Sequence, residues 1–371
     1  MKMPIAPHPV ALQAKLTALT DGSIYPDCCA RVEAIQTHCA WVFFTDAHAY
    51  KLKKPMRLDR MDNRCLSSRY RNCLEELRLN RRLAPDVYLD VIALRVGPTG
   101  RLSLVDDGVP VEWLVKMRRL PSELLLDRAL AIGTVSPAAV HSVGELLADF
   151  YLGQPAVPMT GEDYCRRIER EVDANGRALS GRELALPPPI VTAAIAHQRE
   201  CLRNQSQVLK RRADSGRIIE AHGDLKPEHV YLGVPPCVID CLEFDRDLRI
   251  LDPLEELAYF SLECERLGAA WIGQQILDVY LAKRGDALDT ALFDFYVSRR
   301  ASRRALTAAW HLRDRSVRDL KDWRSLALAY LSRTIAQATP ASSESDPPSS
   351  KRRIASANSG AAVTTRKERD K

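Results

Sequence analysis

Residues 221 to 244 read AHGDLKPEHVYLGVPPCVIDCLEF. A histidine and an aspartate, His222 and Asp224, stand in a polar turn. Two short apolar runs follow, split by Pro235-Pro236, and the second run closes on another acid, Asp240. Runs of that length separated by a turn predict a β-hairpin. Such a hairpin carries one carboxylate at each end, and its return strand brings Asp240 beside the loop that holds Asp224.

Working outward, RVEAIQTHCAWVFFTDAHAYKLKKP (31 to 55) reads as β-branched and aromatic runs broken at Thr37-His38 and Asp46-Ala47-His48, which predicts two or three consecutive antiparallel strands. SSRYRNCLEELRLNRRLAPDVY places Tyr70, Cys73, Leu74, Leu77 and Leu83 near one helical stripe, stopped at Ala84-Pro85. Further strands follow, separated by GPTG and DDG turns, up to about residue 120. From Pro121 to Arg217 the pattern is helical, and after the hairpin it is helical again. The expected architecture is α+β: a small antiparallel β-rich lobe with one long helix, then a larger helical lobe with an inserted β-hairpin. The expected boundaries are an N-terminal arm over 1–29, the small lobe over 30–120, the helical lobe over 121–338 and a tail over 339–371.

Composition agrees with a globular protein. The 371 residues are 46% apolar and 27% charged. No run of eighteen apolar residues occurs, and the N-terminus has proline and charge where a signal's apolar region belongs, so a cytoplasmic protein without a membrane association is expected. The ten cysteines show no CxxC pair and no histidine at zinc spacing, which reads as reduced thiols. Of the net charge of +6, half belongs to the tail from 339 onward, which is rich in Ser, Pro and Ala and nearly free of large apolar residues. Such a segment cannot offset the entropy of ordering itself and reads as disordered. Its few basic residues give no reason to expect a specific nucleic-acid partner.

HGDLKPEH, residues 222 to 229, resembles the catalytic loop of protein kinases, H-R-D-L-K-P-E-N, and the H-G-D-x-x-x-x-N loop of aminoglycoside phosphotransferases. The I-D at 239 and 240 is similar to the magnesium-binding pair of the latter. QTH, AYKLKKP, EELRLNRRLAP, VKMRRLP and IDCLEFDRDLRILDPLEELA follow in the same order as in a bacterial branch of that family without a settled substrate. The resemblance spans roughly residues 30 to 330 and implies a bilobal protein-kinase-like fold. It also implies ATP and Mg²⁺ as cofactors and a small-molecule hydroxyl as acceptor.

The chemistry of phosphoryl transfer makes sense of the two acids. The protein supplies positioning and charge neutralisation more than covalent work. Asp224 would orient the acceptor hydroxyl and take its proton, and Asp240 would hold Mg²⁺. The resemblance implies that Lys51, in Ala49-Tyr50-Lys51, grips the nucleotide phosphates and that Glu76 pairs with it. Lys53, two residues on and on the same strand face, competes for the first role, and Glu75 for the second. Lys226 would face the transferring phosphate. The resemblance implies that the segment LVKMRR (114 to 119), which includes Met117, is the hinge that reads the adenine. His222 reads as a brace for the loop, and Asp252, before Pro253, as a helix cap.

Three departures from the family pattern bear on function. His229 stands where the family has a metal-binding asparagine, although Mg²⁺ prefers oxygen. No glycine-rich loop lies between the first two strands. Gly223 replaces the arginine that serves an activation-loop phosphate in many protein kinases, and the stretch from Asp240 to Asp252 is too short to position a peptide. These features predict a phosphotransferase for a small molecule. The alternative is a catalytically weakened, kinase-like module that binds nucleotide or scaffolds a partner. Oligomeric state is not legible.

Overall fold

The computed structural model describes residues 10–27, 30–58, 60–311 and 322–336. The expected basic tail lies outside the described residues. The chain enters through a helix, α1 (Leu12–Thr20), and then forms β1 (Glu33–Gln36), β2 (Ala40–Phe44) and β3 (His48–Lys53). A two-residue ladder of β4 (Arg57–Leu58) with β5 (Met61–Asp62) leads into α2 (Leu66–Asn80). β6 (Tyr88–Val96), β7 (Leu102–Ser103) and β8 (Val109–Arg118) complete a six-stranded antiparallel sheet, in the order β1-β2-β3-β8-β6-β7.

β3 lies inside this sheet, with Lys51 opposite Val42 on β2 and Val115 on β8. Its two faces alternate with the period of two that a strand imposes. Tyr50 and Leu52 enter an apolar cluster with Leu19, Tyr25, Phe43, Leu94 and Leu114 on the α1 side. Lys51 and Lys53 therefore point to the opposite face, where α2 packs.

The stretch expected to be an N-terminal arm thus contains a docked helix. Leu19 is fully buried, and the Lys15 ammonium donates to the Val111 carbonyl at 2.7 Å and to Glu112 at 2.9 Å. Glu112 also receives a two-pronged bond from Arg69 of α2, so one buried carboxylate on β8 fastens a helix on each side of the sheet.

The helix expected after β5 is α2, and of its expected stripe Cys73 and Leu83 are buried, with Leu77 packed against the cluster that holds Cys73. Tyr70 and Leu74 are the exposed members, whereas Ser68, Arg69, Cys73, Glu76, Leu79 and Asn80 are buried. The face that packs is largely polar because each polar group on it has a partner, and an apolar-periodicity reading cannot see that.

The helical part comprises α3 (Leu126–Ile132), α4 (Pro137–Gly153), α5 (Gly161–Leu179) and α6 (Pro188–Asp214), then α7 (Pro253–Arg266), α8 (Ala270–Arg284), α9 (Thr290–His311) and α10 (Trp323–Ile335). Proline at the first helical position follows a side-chain cap on α4, where Ser136 accepts from Ala139, and on α7, where Asp252 accepts from Leu254. Asp252 is a cap as read from the sequence, and it is also ion-paired to Arg212 and bonded by the Tyr296 hydroxyl. One large core runs through these helices and takes in Leu225, Val230 and Val238 of the 221–244 segment.

That segment carries two short strands, β10 (Val230–Tyr231) and β11 (Cys237–Val238), and is flanked by two more, β9 (Ile219–Glu220) and β12 (Ile250–Leu251). β10 pairs antiparallel with β11, Val230 opposite Val238, which is the expected hairpin; β9 pairs with β12. Among the described residues no helix is long and apolar enough to cross a membrane, and the eight described cysteines are free thiols.

Candidate active site

The hairpin does what its sequence suggested and returns Asp240 to the loop that holds Asp224. The link is His229. Its Nδ1–H donates to the Asp224 carbonyl oxygen at 2.9 Å. The other ring nitrogen, Nε2, faces Asp240, 3.5 Å from Oδ2. Lys51 closes the group from the sheet: its ammonium is 2.5 Å from Asp240 Oδ1 and 2.8 Å from Glu76 Oε1.

Of the two candidate lysines, both belong here. Lys53 also donates to Glu76, and its second partner is Glu243, three residues beyond Asp240. Burial works against both ammonium ions, but Asp240, Glu76 and Glu243 outweigh it for Lys51, and Glu243 and Glu76 for Lys53; both are held above the ordinary lysine value. Glu76 is the paired acid and is fully buried, whereas Glu75 turns to Arg78 and Arg249. Burial opposes the charge on Asp240 as well, yet Lys51 and then His229 hold its carboxyl far below the usual range.

Asp240 has φ of 61°, a left-handed conformation rare for a residue with a Cβ. Its amide donates to the Tyr88 hydroxyl at 3.0 Å, and the next amide, of Cys241, donates to the Asn80 side chain at 2.8 Å. Contacts from β6 and α2 thus over-determine a conformation that costs the chain about 1 to 3 kcal/mol.

The Asp224 loop is fixed from below by α7. The buried carboxylate of Glu256 accepts from the His222 amide at 3.1 Å and the Gly223 amide at 2.5 Å, and the Tyr151 hydroxyl donates to it at 2.9 Å. Gly223 has φ of 89°, and a Cβ there would meet Arg249 Cγ at 3.0 Å, so glycine is required on both conformational and steric grounds. The Asp224 carboxylate receives the Tyr259 hydroxyl at 3.3 Å on Oδ1 and faces the Lys226 ammonium at 3.1 Å from Oδ2. Burial raises its pKa less than Lys226, His229 and Arg304 lower it, and the carboxyl lies below its ordinary value.

His222 is a brace. Its Nε2–H donates to the Ile239 carbonyl at 2.9 Å, and Nδ1 faces the Asp224 amide at 3.3 Å. Burial first, then His229, pushes its pKa down to about 3. A folded-state pKa below the unfolded value of about 6.5 means that the unfolded chain binds the extra proton, so stability falls as pH drops from about 6.5 toward 3. His222→Gln keeps an N–H for Ile239 and removes that proton. Urea melts between pH 4 and 6 are expected to show a pH slope shallower by about one proton, roughly 1.4 kcal/mol per pH unit; an unchanged slope would show that His222 is not buried in its neutral form.

Met117, on β8, pairs with Ala49 and Tyr88 across the sheet. Its side chain packs in the apolar cluster that includes Leu120, Tyr231 and Ile239, the residue just before Asp240. The chain leaves the sheet just after it, at Arg119 to Pro121.

The sequence reading missed Glu243, Arg249, Glu256 and Tyr259 as site residues. Glu243 had a local signal, its place three positions after Asp240 in the return loop. The other three act through contacts of 29 to 174 residues in separation and carried no local signal.

No family model matches the chain. A choline/ethanolamine kinase family protein from Mesorhizobium loti superposes with a TM-score of 0.52 at 18% identity, over 88% of this chain and 95% of that one. A thermostable mutant of the aminoglycoside phosphotransferase APH(4)-Ia, solved as a ternary complex with AMP-PNP and hygromycin B, gives 0.51 at 12% identity, over 87% and 99%. Uncharacterized proteins of Mycobacterium bovis and Mycobacterium tuberculosis are 29% identical over 303 residues, which cover 74% of this chain and 54% of each relative. The chain spans about half the length of these curated relatives. With its antiparallel sheet, the helix bearing Glu76 and the helical part holding the Asp224 loop, the chain has the protein-kinase-like fold of choline/ethanolamine kinase-like proteins and aminoglycoside phosphotransferases.

Proposed function

We propose that the protein transfers the γ-phosphoryl group of ATP to a hydroxyl of a small molecule. The observation that carries this reading is the convergence of Asp224 and Asp240 through His229, with Lys51 on Asp240 and Lys226 on Asp224. Two carboxylates set on either side of one polar site, each with its own lysine, match the needs of phosphoryl transfer: one acid for the acceptor, one for the metal on the phosphates. The fold shared with a protein that binds AMP-PNP and hygromycin B supports the same assignment.

In this reading Lys51, positioned by Glu76, draws the nucleotide phosphates under the sheet, and Met117 borders the adenine beside Tyr231 and Ile239. Asp224 orients the acceptor hydroxyl and takes its proton, and Lys226 faces the moving phosphoryl group. Among the described residues no group of three or more His, Cys, Asp or Glu forms a metal cage. Mg²⁺ does not require one, because it keeps water and phosphate oxygens in its shell and takes one or two protein carboxylates. Asp240, with 44% of its side chain open, offers one such carboxylate, and His229 Nε2 stands beside it. These residues fit an ion that arrives with the nucleotide, where it would neutralise phosphate charge.

His229 also motivates the second reading, a nucleotide-binding module with little turnover, since nitrogen is a poor substitute for an amide oxygen on Mg²⁺. Calorimetric titration with ATP, with and without Mg²⁺, separates the two. The phosphotransferase is expected to bind MgATP at least tenfold more tightly than metal-free ATP and to form ADP in the presence of an acceptor. Affinity indifferent to Mg²⁺, with no ADP formed across a metabolite panel, would favour the module.

A further inference from the structure

The contacts of the Asp224 carboxylate lead into the helical part. Its Oδ1 partner, Tyr259 on α7, is buried, and the ring of Tyr259 has guanidinium groups over it: Arg300 Cζ is 5.4 Å from the ring centroid and Arg304 Cζ 6.0 Å. Arg304 also lies 5.5 Å from the ring of Tyr330 on α10. The aromatic surface next to Asp224 is therefore already occupied by arginine, and a cage for an ammonium ligand cannot form from these rings.

The charges in the same region lean positive. Glu263 is fully buried and accepts from Arg304 at 3.0 Å, from Arg266 at 3.0 Å and from the Tyr330 hydroxyl at 2.6 Å, two guanidiniums and a hydroxyl on one carboxylate. Glu255 is likewise shared, with Arg299 at 2.6 Å and Arg300 at 2.7 Å. Arg304 spends its Nε–H on Glu263 and keeps 23% of its side chain open to solvent. With Lys226 and His229 it is one of the cations whose field reaches Asp224. A cationic acceptor approaching Asp224 would meet Lys226, which lies between Asp224 and Glu228, and Arg304, which shares the single charge of Glu263 with Arg266, whereas an anionic one would find in Arg304 a planar guanidinium suited to a carboxylate or phosphate.

We propose that the acceptor is an anion, a hydroxyl-bearing small molecule with a carboxylate or phosphate group, and that Arg304 is the side chain that selects it. This rests on the phosphotransferase reading, and the test keeps the two apart. A deproteinised bacterial extract, freed of nucleotides and divided on ion-exchange resins into anionic, neutral and cationic pools, is incubated with the full chain, Mg²⁺ and [γ-³²P]ATP. Label is expected in products from the anionic pool. Transfer confined to the neutral or cationic pool overturns the anionic acceptor while leaving the phosphotransferase standing; no transfer with any pool overturns both. Pretreating the anionic pool with a phosphatase, then removed, identifies the anion: loss of label means a phosphate, retention a carboxylate. For the acceptor found, Arg304→Gln is expected to raise KM roughly tenfold or more, the loss of about one charge-assisted bond. Arg304→Lys should recover part of that, and ADP affinity should stay within about twofold in both, since the change lies on the acceptor side. An Arg304→Gln protein with unaltered KM for the anionic acceptor would refute the assignment.

Discussion

Asp224→Asn is expected to lower kcat for phosphoryl transfer by about 10² to 10⁴-fold, the usual range for loss of a positioned acid-base group, while leaving nucleotide affinity close to that of the parent. The change is nearly isosteric, and its surroundings tolerate it. The Tyr259 hydroxyl can still donate to the remaining side-chain oxygen, and Lys226 keeps a second carboxylate, Glu228, at 3.1 Å. What disappears is the group that can receive a proton. Lys226, His229 and Arg304 hold Asp224 below the ordinary carboxylate range despite its burial, so it is ionised throughout the neutral range and ready to accept. A depressed pKa makes a weak base, which suits a loose transition state in which the acceptor's proton leaves late and orientation matters most. The sign for pH follows. The acid limb of kcat/KM assigned to this group should lie below about pH 4, with no loss from it at higher pH. The nucleotide side, Lys51 with Glu76 and Asp240, makes no contact that the substitution removes. The measurement is single-turnover transfer with the acceptor found by charge fractionation, alongside calorimetric ADP binding. Turnover retained within a few-fold in Asp224→Asn would remove Asp224 from the base role.

Much of this site was legible because strands and tight loops encode local geometry. The alternation in HAYKLK placed Lys51 and Lys53 on one face, so that either lysine could be the phosphate ligand; the fold uses both, on the two oxygens of Glu76. The two-proline break between apolar runs encoded the hairpin, and with it the meeting of the two acids. What stayed hidden depends on contacts distant in sequence. The buried face of α2 is built from Arg69, Glu76 and Asn80, whose partners lie 43 residues on for Arg69, on β3 for Glu76 and 161 residues on for Asn80. An apolar stripe therefore pointed partly to solvent. Docking of α1 was obscured in the same way, because Lys15 looks like a surface residue until Glu112 and the Val111 carbonyl are placed beside it. The arginines of α9 have the look of helix-surface charges in the sequence. They are paired, but Arg299 and Arg300 are buried against α7.

The second large effect is expected at Arg249, which is 1% exposed and holds the return loop against both parts of the fold. Its guanidinium donates to Glu220 of β9 at 2.7 Å, to Glu75 of α2 at 3.0 Å, and to the carbonyls of Leu242 and Glu243 at 2.9 and 3.2 Å. Its stem packs on Gly223, where the Asp224 loop turns. Arg249→Met keeps the apolar stem and deletes the fork, leaving two carbonyl acceptors and much of the Glu220 charge unmatched. Glu220 retains only the longer contacts to Arg78 at 3.5 Å and Arg246 at 3.6 Å, both on exposed arginines. Breaking a buried ionic network from one side costs about 3 to 5 kcal/mol, which should appear as a large drop in the urea midpoint. Arg249→Lys should recover little, since one ammonium cannot reach two carboxylates and two carbonyls from the same position. A purely structural role would lower stability alone. A positioning role adds a second signature, because releasing Glu75 and the Glu243 carbonyl loosens the elements that bring Glu76 and Glu243 to the two lysines. In the folded fraction at low temperature, KM for ATP should therefore rise several-fold in Arg249→Met while KM for the acceptor changes less. Equal rises in both would make Arg249 a general support of the fold, and an unchanged urea midpoint would contradict the buried network itself.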